Sequence, residues 1–145
     1  MGTVIEIGVC KNKGLKMDKV CEVEAVHGKG LVSDRHFKDN NLKACQITLI
    51  EIENINYYNK ISNTFIPAIK FRRNIITKDI SLNKLVGSEF YIGQVKVKAH
   101  DLCRPCKYLQ ESLKQKNIIK ELLLKGGLRC EILTSGKIFI GDKIE

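Results

Sequence analysis

Glu89-Phe90-Tyr91-Ile92-Gly93-Gln94-Val95-Lys96-Val97-Lys98-Ala99-His100-Asp101-Leu102 decides the fold class. From Val95 onward Val95, Val97 and Ala99 alternate with Lys96, Lys98 and His100, the period-2 pattern of a strand with one face turned to a core. Gly93-Gln94 interrupts two such runs at hairpin spacing, so Glu89 to Ile92 and Val95 to Leu102 are expected to pair antiparallel. Downstream, Leu128 to Thr134 and Lys137 to Ile144, joined at Ser135-Gly136, give the same signal and predict a second hairpin. Upstream, residues 3–10 and 19–26 read as strands on either side of a Lys/Asn/Gly-rich stretch. Gln46 to Ile50 reads as a buried strand end leading into a helix around Glu51 to Lys60. Phe71 to Thr77 reads as a strand carrying Arg72, Arg73 and Asn74, and Leu82 to Val86 closes at Gly87. After Pro105, residues 106–124 have helical composition, with Leu109, Leu113, Ile118 and Leu122 at helical spacing and Gly126-Gly127 as the stop. Seven or eight short, mostly antiparallel strands with two or three helices fit a mainly β fold, a small β-barrel with helical insertions, better than a doubly wound sheet.

A chain of 145 residues, 43% hydrophobic and 28% charged, is expected to form one domain over residues 1–145 with a single core. The longest apolar runs, such as Leu122 to Leu124, are far short of the ~20 residues of a membrane span. The start, Met1-Gly2-Thr3-Val4-Ile5-Glu6-Ile7, has neither a basic nor a continuous apolar leader region, so a cytoplasmic location is expected. His27 to Asn41 reads as a long loop, and loops of that length in small domains usually carry function.

The formal charge is +9, yet no basic tail is present. With 6% aromatics, no Trp and no glycine-aromatic pattern, nucleic-acid binding is not expected. Choice of cation is more informative than its total. Against a background of lysines, the only arginines are Arg35, Arg72, Arg73, Arg104 and Arg129. Arginine brings a planar fork that matches carboxylate or phosphate oxygens, so these positions are candidates for an anion site, with structural ion pairs as the alternative.

Six cysteines in a chain without a leader are expected to be reduced. Cys21, Cys45 and Cys130 alternate with apolar strand residues and read as small buried hydrophobes. Cys10 falls at a strand end, on the face opposite Ile5, Ile7 and Val9. Cys103 and Cys106 form a C-x-x-C. Cys106, just after Pro105 at the expected helix start and beside Arg104 and Lys107, is placed to favour thiolate, and therefore nucleophile, redox or soft-metal chemistry. A zinc site is not expected, because one C-x-x-C plus His100, which a regular strand turns away from Cys103, does not supply a ligand set. A metal-free dithiol redox protein using Cys103 and Cys106 stays open as an alternative, as does a noncatalytic adaptor module. Cys103, inward beside Val95, Val97 and Ala99, also reads as core.

Gly30-Leu31-Val32-Ser33-Asp34-Arg35-His36-Phe37, Gln46-Ile47-Thr48-Leu49-Ile50, Phe71-Arg72-Arg73-Asn74-Ile75, Leu82 to Gly87 with Tyr91-Ile92-Gly93, Leu102-Cys103-Arg104-Pro105-Cys106-Lys107-Tyr108-Leu109, and Gly126-Gly127-Leu128-Arg129-Cys130-Glu131 resemble, in this order, the short stand-alone MOSC domains. These are named for the C-terminal domain of molybdenum cofactor sulfurase. The resemblance spans about residues 3–144; the Phe-Arg-Arg-Asn-Ile and Cys-x-Pro-Cys-x-x-Leu stretches are its most specific parts. It implies a small closed β-barrel similar to the pyruvate-kinase barrel. It also implies association with the molybdenum cofactor, whose pterin carries an anionic phosphate and dithiolene. Cys106 matches the family cysteine that holds molybdenum or carries sulfur. Two roles follow from the resemblance: a molybdenum-dependent reductase of N-hydroxylated compounds, or a sulfur carrier (a sulfur transferase). Arg35, Arg72, Arg73, Asn74 and Arg129 are the implied cofactor-binding residues. His36, an imidazole in the motif loop, is the candidate proton donor. Pyridoxal phosphate, a label attached to the fused sulfurases, is not expected here, since nothing marks a Schiff-base lysine.

Similar sequences read Gly-Asp-Arg-His where this chain has Ser33-Asp34-Arg35-His36. If that glycine requires positive φ, Ser33 is strained. The larger reductases carry an additional N-terminal barrel that helps to hold the cofactor. A chain of this length is expected to bind it shallowly, to share it with a protein partner or a second copy in a homodimer, or to hold it transiently.

Overall fold

A computed structural model describes residues 2–104 and 107–145. Strand β1 (Gly2–Val9) is rich in β-branched residues and pairs along most of its length. A bulge between Val4 and Glu6 interrupts its alternation. As a result Val4, Ile7 and Val9 enter the barrel core while Ile5 packs among the helices outside. Strict alternation put Ile5, Ile7 and Val9 on one face, and the extra residue of the bulge removes that equivalence.

The stretch 19–26, expected as one strand, is two: β2 (Asp18–Val20) stays on β1, and β3 (Glu22–Val26) leaves for a second sheet with β4 (Gly30–Leu31). Cys21 stands at the break and is exposed, a correction to its reading as core. Lys43–Cys45 forms a single 3-10 turn before β5 (Ile47–Glu51), so Cys45 is also partly exposed and not an inward strand residue. Helix α1 (Ile52–Ser62) follows directly and ends at Asn63 in the left-handed conformation, whose N–H caps Asn59 and Lys60 carbonyls.

A further 3-10 turn, Ala68–Phe71, leads to β6 (Ile75–Lys78). Phe71 to Thr77 is therefore not one strand. Arg72, Arg73 and Asn74 form the turn before it, because Arg72 adopts φ +65°. The expected hairpin is present as β7 (Glu89–Ile92) and β8 (Val95–Leu102), with Phe90 opposite Val97. Helical residues beyond it divide into α2 (Lys107–Leu113) and α3 (Ile118–Glu121) in place of one helix. Asn117, between them, accepts the Tyr58 hydroxyl at 2.6 Å.

The second expected hairpin is not formed. Strand β9 (Leu128–Ile132) pairs with β5 and β8, β10 (Gly136–Phe139) with β3, and β11 (Lys143–Ile144) with β1 and β7. The turn signal at Ser135-Gly136 thus marks a change of sheet. In the larger sheet the order β11-β7-β8-β9-β5-β6-β1 closes through β11 onto β1, giving a seven-stranded barrel. Closure leaves no free edge in that ring. Among the described strands only β5 and β6 pair parallel, and α1 lies in the crossover that such a pair requires.

Inside, Ile47, Leu49, Ile75, Phe90, Val97, Leu128 and Cys130 pack with Val23, Ala25 and Leu31 of the smaller sheet. Outside, Ile50 and Ile76 turn the other way, onto Ile55, Tyr58, Phe71, Leu109 and Leu122. Both faces of β5 and β6 are therefore covered, which explains their nearly unbroken apolar sequence. No helix among the described residues is long and apolar enough to cross a membrane.

Gly127 is required by this packing: its φ is +101°, and a Cβ there would strike the Leu49 carbonyl oxygen where β9 meets β5. Gly28 has φ +75° with open space around it. We expect Gly127→Ala to lower stability by about 3 kcal/mol or more, against about 1 kcal/mol for Gly28→Ala, in chemical denaturation. Ser33, as its resemblance to glycine-containing loops implied, has φ +74°. Ser33→Gly is expected to raise stability by up to about 1 kcal/mol in the same measurement, because the relief of strain outweighs glycine's added unfolded-state entropy.

Candidate functional site

Four separate segments carry the charged side chains that meet at one cavity of about 390 Å³. The first is the loop after β4. Asp34 is only 7% exposed, and its Oδ1 accepts the Cys10 backbone N–H at 2.9 Å. Its Oδ2 accepts from the His36 backbone N–H and faces His36 Nδ1, each at 3.3 Å. Burial pushes the Asp34 carboxyl up, but the His36 side-chain hydrogen bond, the two backbone N–H groups and the His36 charge together outweigh it and hold it below the usual range. The Arg35 N–H donates to the Cys10 carbonyl at 2.7 Å, locking the loop to the end of β1. Arg35 and His36 are both exposed and line the cavity.

The second segment is the turn before β6. Asn74 is buried and spans three strands: its Nδ2 donates to the Gly8 carbonyl at 3.0 Å, and its Oδ1 accepts the Thr48 N–H and hydroxyl at 3.1 Å. With Asn74 fixed, the two preceding arginines are held at the cavity. Arg72 Nη1 donates to the Leu15 carbonyl at 2.9 Å and Nη2 to Cys10 Sγ at 3.4 Å. Arg73 Nε donates to the Gly126 carbonyl at 2.9 Å, reaching across to the residues before β9.

The third and fourth segments are the end of β8 and the start of β9. A register shift between Ala99 and Asp101 makes His100 the extra residue. Its ring Nε2 lies 2.8 Å from Glu131 Oε1, and it does not line the cavity. Past the bulge, Asp101 pairs across the ladder with Arg129. Arg129 Nε donates to Asp101 Oδ1 at 2.8 Å, and Nη2 donates to Oδ2. That fork holds the Asp101 carboxyl below the usual range. Cys103 and Arg104 follow on the cavity wall. Burial pushes the Cys103 thiol up, although Arg73 and Arg129 oppose this, so near neutral pH it is a thiol.

All of the arginines therefore line one cavity, together with His36 and Asn74. Cys106 lies outside the described residues; Cys103 and Arg104 before it and Leu109 after it line the same wall. Sequence reasoning did not select Asp34, Cys10, Met17 or Cys45 as site residues, and the resemblance did not place Arg104 among the cofactor-binding residues, yet all contribute to the lining. Arginine usage pointed to Arg104 as much as to the other four. Nothing local marks Cys10 or Met17, which the fold brings in from the two ends of a lysine-rich turn. Cys103, read as core, is indeed buried but also faces the cavity.

Chemically, the site is cationic. Its guanidinium groups face a cavity in the size range of small-molecule sites, about 300–1,000 Å³. The nearby carboxylates of Asp34 and Asp101 are already engaged by N–H donors. An anionic, oxygen-rich ligand suits such a wall. Among the described residues no group of three His, Cys, Asp or Glu side chains could hold a metal ion unaided.

No curated protein matches this chain in sequence. Solved structures with the same fold are the YuaD protein from Bacillus subtilis, with a TM-score of 0.85 at 17% identity over 99% of this chain and 94% of that one. YiiM from Geobacillus stearothermophilus is similar with a TM-score of 0.81 at 17% identity, over 99% of this chain and 74% of that one. YiiM from Escherichia coli gives a TM-score of 0.71 at 16% identity, over 100% of this chain and 69% of that one. The family model described as the MOSC domain matches residues 32–145, a span that holds all of the arginines, and the chain belongs to the MOSC domain family.

Proposed function

We propose that the arginine-lined cavity binds the molybdenum cofactor, with Cys106 as its thiolate ligand or as a persulfide carrier. The observation that carries this reading is the convergence of Arg35, Arg72, Arg73, Arg104 and Arg129 from distant positions onto one wall. The donor set fits the group: guanidinium forks for the pterin phosphate, a cavity of adequate volume, and no competing cage of hard metal ligands among the described residues. Arg35 and Arg104 supply exposed forks. Arg73 and Arg129 supply the N–H groups left over from the Gly126 carbonyl and Asp101. Asn74 holds the Arg72-Arg73 turn in place through its bonds to Gly8 and Thr48.

When bound, the molybdenum cofactor supplies two-electron redox chemistry, with N-hydroxylated compounds as the substrate class for a reductase. Cys106 presents a polarizable sulfur in either role, toward molybdenum or toward sulfane sulfur. His36 stands at the cavity to exchange a proton. Cys103, buried and held as the thiol, is dispensable in this reading, in contrast to a dithiol mechanism that needs both cysteines.

The test is the molybdenum and pterin content of protein purified from a host that makes the cofactor. Wild type and Cys103→Ser are expected to retain both, and Cys106→Ser to lose molybdenum; absence from all three proteins overturns stable binding. Arg35→Met gives a cleaner probe of the anion wall than Arg73, because no side-chain hydrogen bond of Arg35 is lost among the described residues. We expect Arg35→Met to reduce pterin content about tenfold while changing stability by less than about 0.5 kcal/mol.

A further inference from the structure

A carboxylate in a pocket of arginines weakens the pocket's attraction for anions unless its charge serves another purpose. The position of Asp34 supplies one. Oδ1 is fixed by the Cys10 N–H at 2.9 Å, and Oδ2 faces both the backbone N–H and the ring Nδ1 of His36 at 3.3 Å. His36 is clamped from the other side as well, since its carbonyl accepts Asn41 Nδ2 at 2.5 Å. The carboxylate therefore holds one residue at main chain and ring together, on a loop itself pinned to β1 through the Arg35 N–H.

We propose that Asp34 is a positioning residue that fixes neutral His36 as the Nδ1–H tautomer, leaving Nε2 as the atom that exchanges a proton with a ligand in the cavity. An ionised carboxylate only accepts hydrogen bonds, so the ring nitrogen facing it must carry the hydrogen. Asp34 is held ionised near neutral pH by the N–H groups around it. In water a neutral histidine favours the opposite tautomer, with the hydrogen on Nε2. Asp34 reverses that preference and presents a bare Nε2 lone pair, which accepts a proton and returns it, beside the arginines. The His36 side chain is half exposed and lines the cavity. This inference rests on the cofactor-binding reading for the identity of the ligand, which is a group whose oxygen gains or loses a proton. The tautomer itself is a property of the free protein.

The test is nitrogen-15 NMR of the free protein above about pH 8, where imidazole is neutral. The three histidines, His27, His36 and His100, are distinguished by loss of the His36 signals in His36→Gln. Wild-type His36 is expected to show a protonated Nδ1 and a bare Nε2. In Asp34→Asn the side-chain amide can turn its NH2 toward Nδ1, and the tautomer ratio is expected to shift toward Nε2–H by about tenfold or more. A wild-type His36 carrying its hydrogen on Nε2 overturns the proposal, even where Asp34→Asn fails to fold. An unchanged ratio in a folded Asp34→Asn overturns it equally. Because these readouts need no cofactor, their failure is separate from failure of the molybdenum and pterin measurement.

Discussion

Asn74 joins the barrel to the site. Its buried amide donates to Gly8 on β1 and accepts from Thr48 on β5, while its own N–H donates to the Thr48 hydroxyl at 3.0 Å. Each of these groups would cost about 1–3 kcal/mol if left buried and unsatisfied, so the amide has one arrangement that fits and no inexpensive alternative. The chain entering β6 must therefore arrive at one angle. Arg72 and Arg73, the two residues before Asn74, are delivered to the cavity by that same constraint. A side chain that resemblance alone would assign to cofactor contact also acts as the joint that aims the arginines.

Two other costs are concentrated around the cavity. Ser33 and Arg72 both take positive φ, at +74° and +65°, a conformation that costs a non-glycine residue roughly 1–2 kcal/mol. Gathering guanidinium groups adds mutual repulsion. The molecule offsets that repulsion locally: carbonyls of Leu15, Phe71 and Gly126 accept from Arg72 and Arg73, and Asp101 holds Arg129. Strain and like charge are thus gathered in one place and stabilised by neighbours and not by a core, an arrangement that suits an anionic ligand.

How far the sequence was legible depends on the range of the interaction that decides each feature. The hairpin of β7 and β8 was readable because its alternation and its turn are both local. The segments around Ser135-Gly136 carried an equally good local signal and were misread, since β9 finds its partners in β5 and β8 and β10 finds its partner in β3. Bulges at Ile5 and His100 left no mark in composition, and each shifts the facing of every residue beyond it by one. Cys21 and Cys45 looked like core because a strand was assumed to continue through them. At the site, the rarity of arginine against lysine identified residues whose common destination only the closed barrel could reveal.

That destination explains why lysine would not serve at Arg73 and Arg129. Arg73 reaches the Gly126 carbonyl through Nε and the Phe71 carbonyl through Nη1. Arg129 turns Nε and Nη2 to Asp101. A guanidinium has five N–H donors in a fixed plane, so each of these side chains can be anchored on one edge and still face the cavity with the other. A lysine ammonium, a single point of charge on a flexible stem, would be drawn fully to its anchor or left to wander in solvent. At Arg73 and Arg129 the chain uses arginine where a charge must be both held and presented.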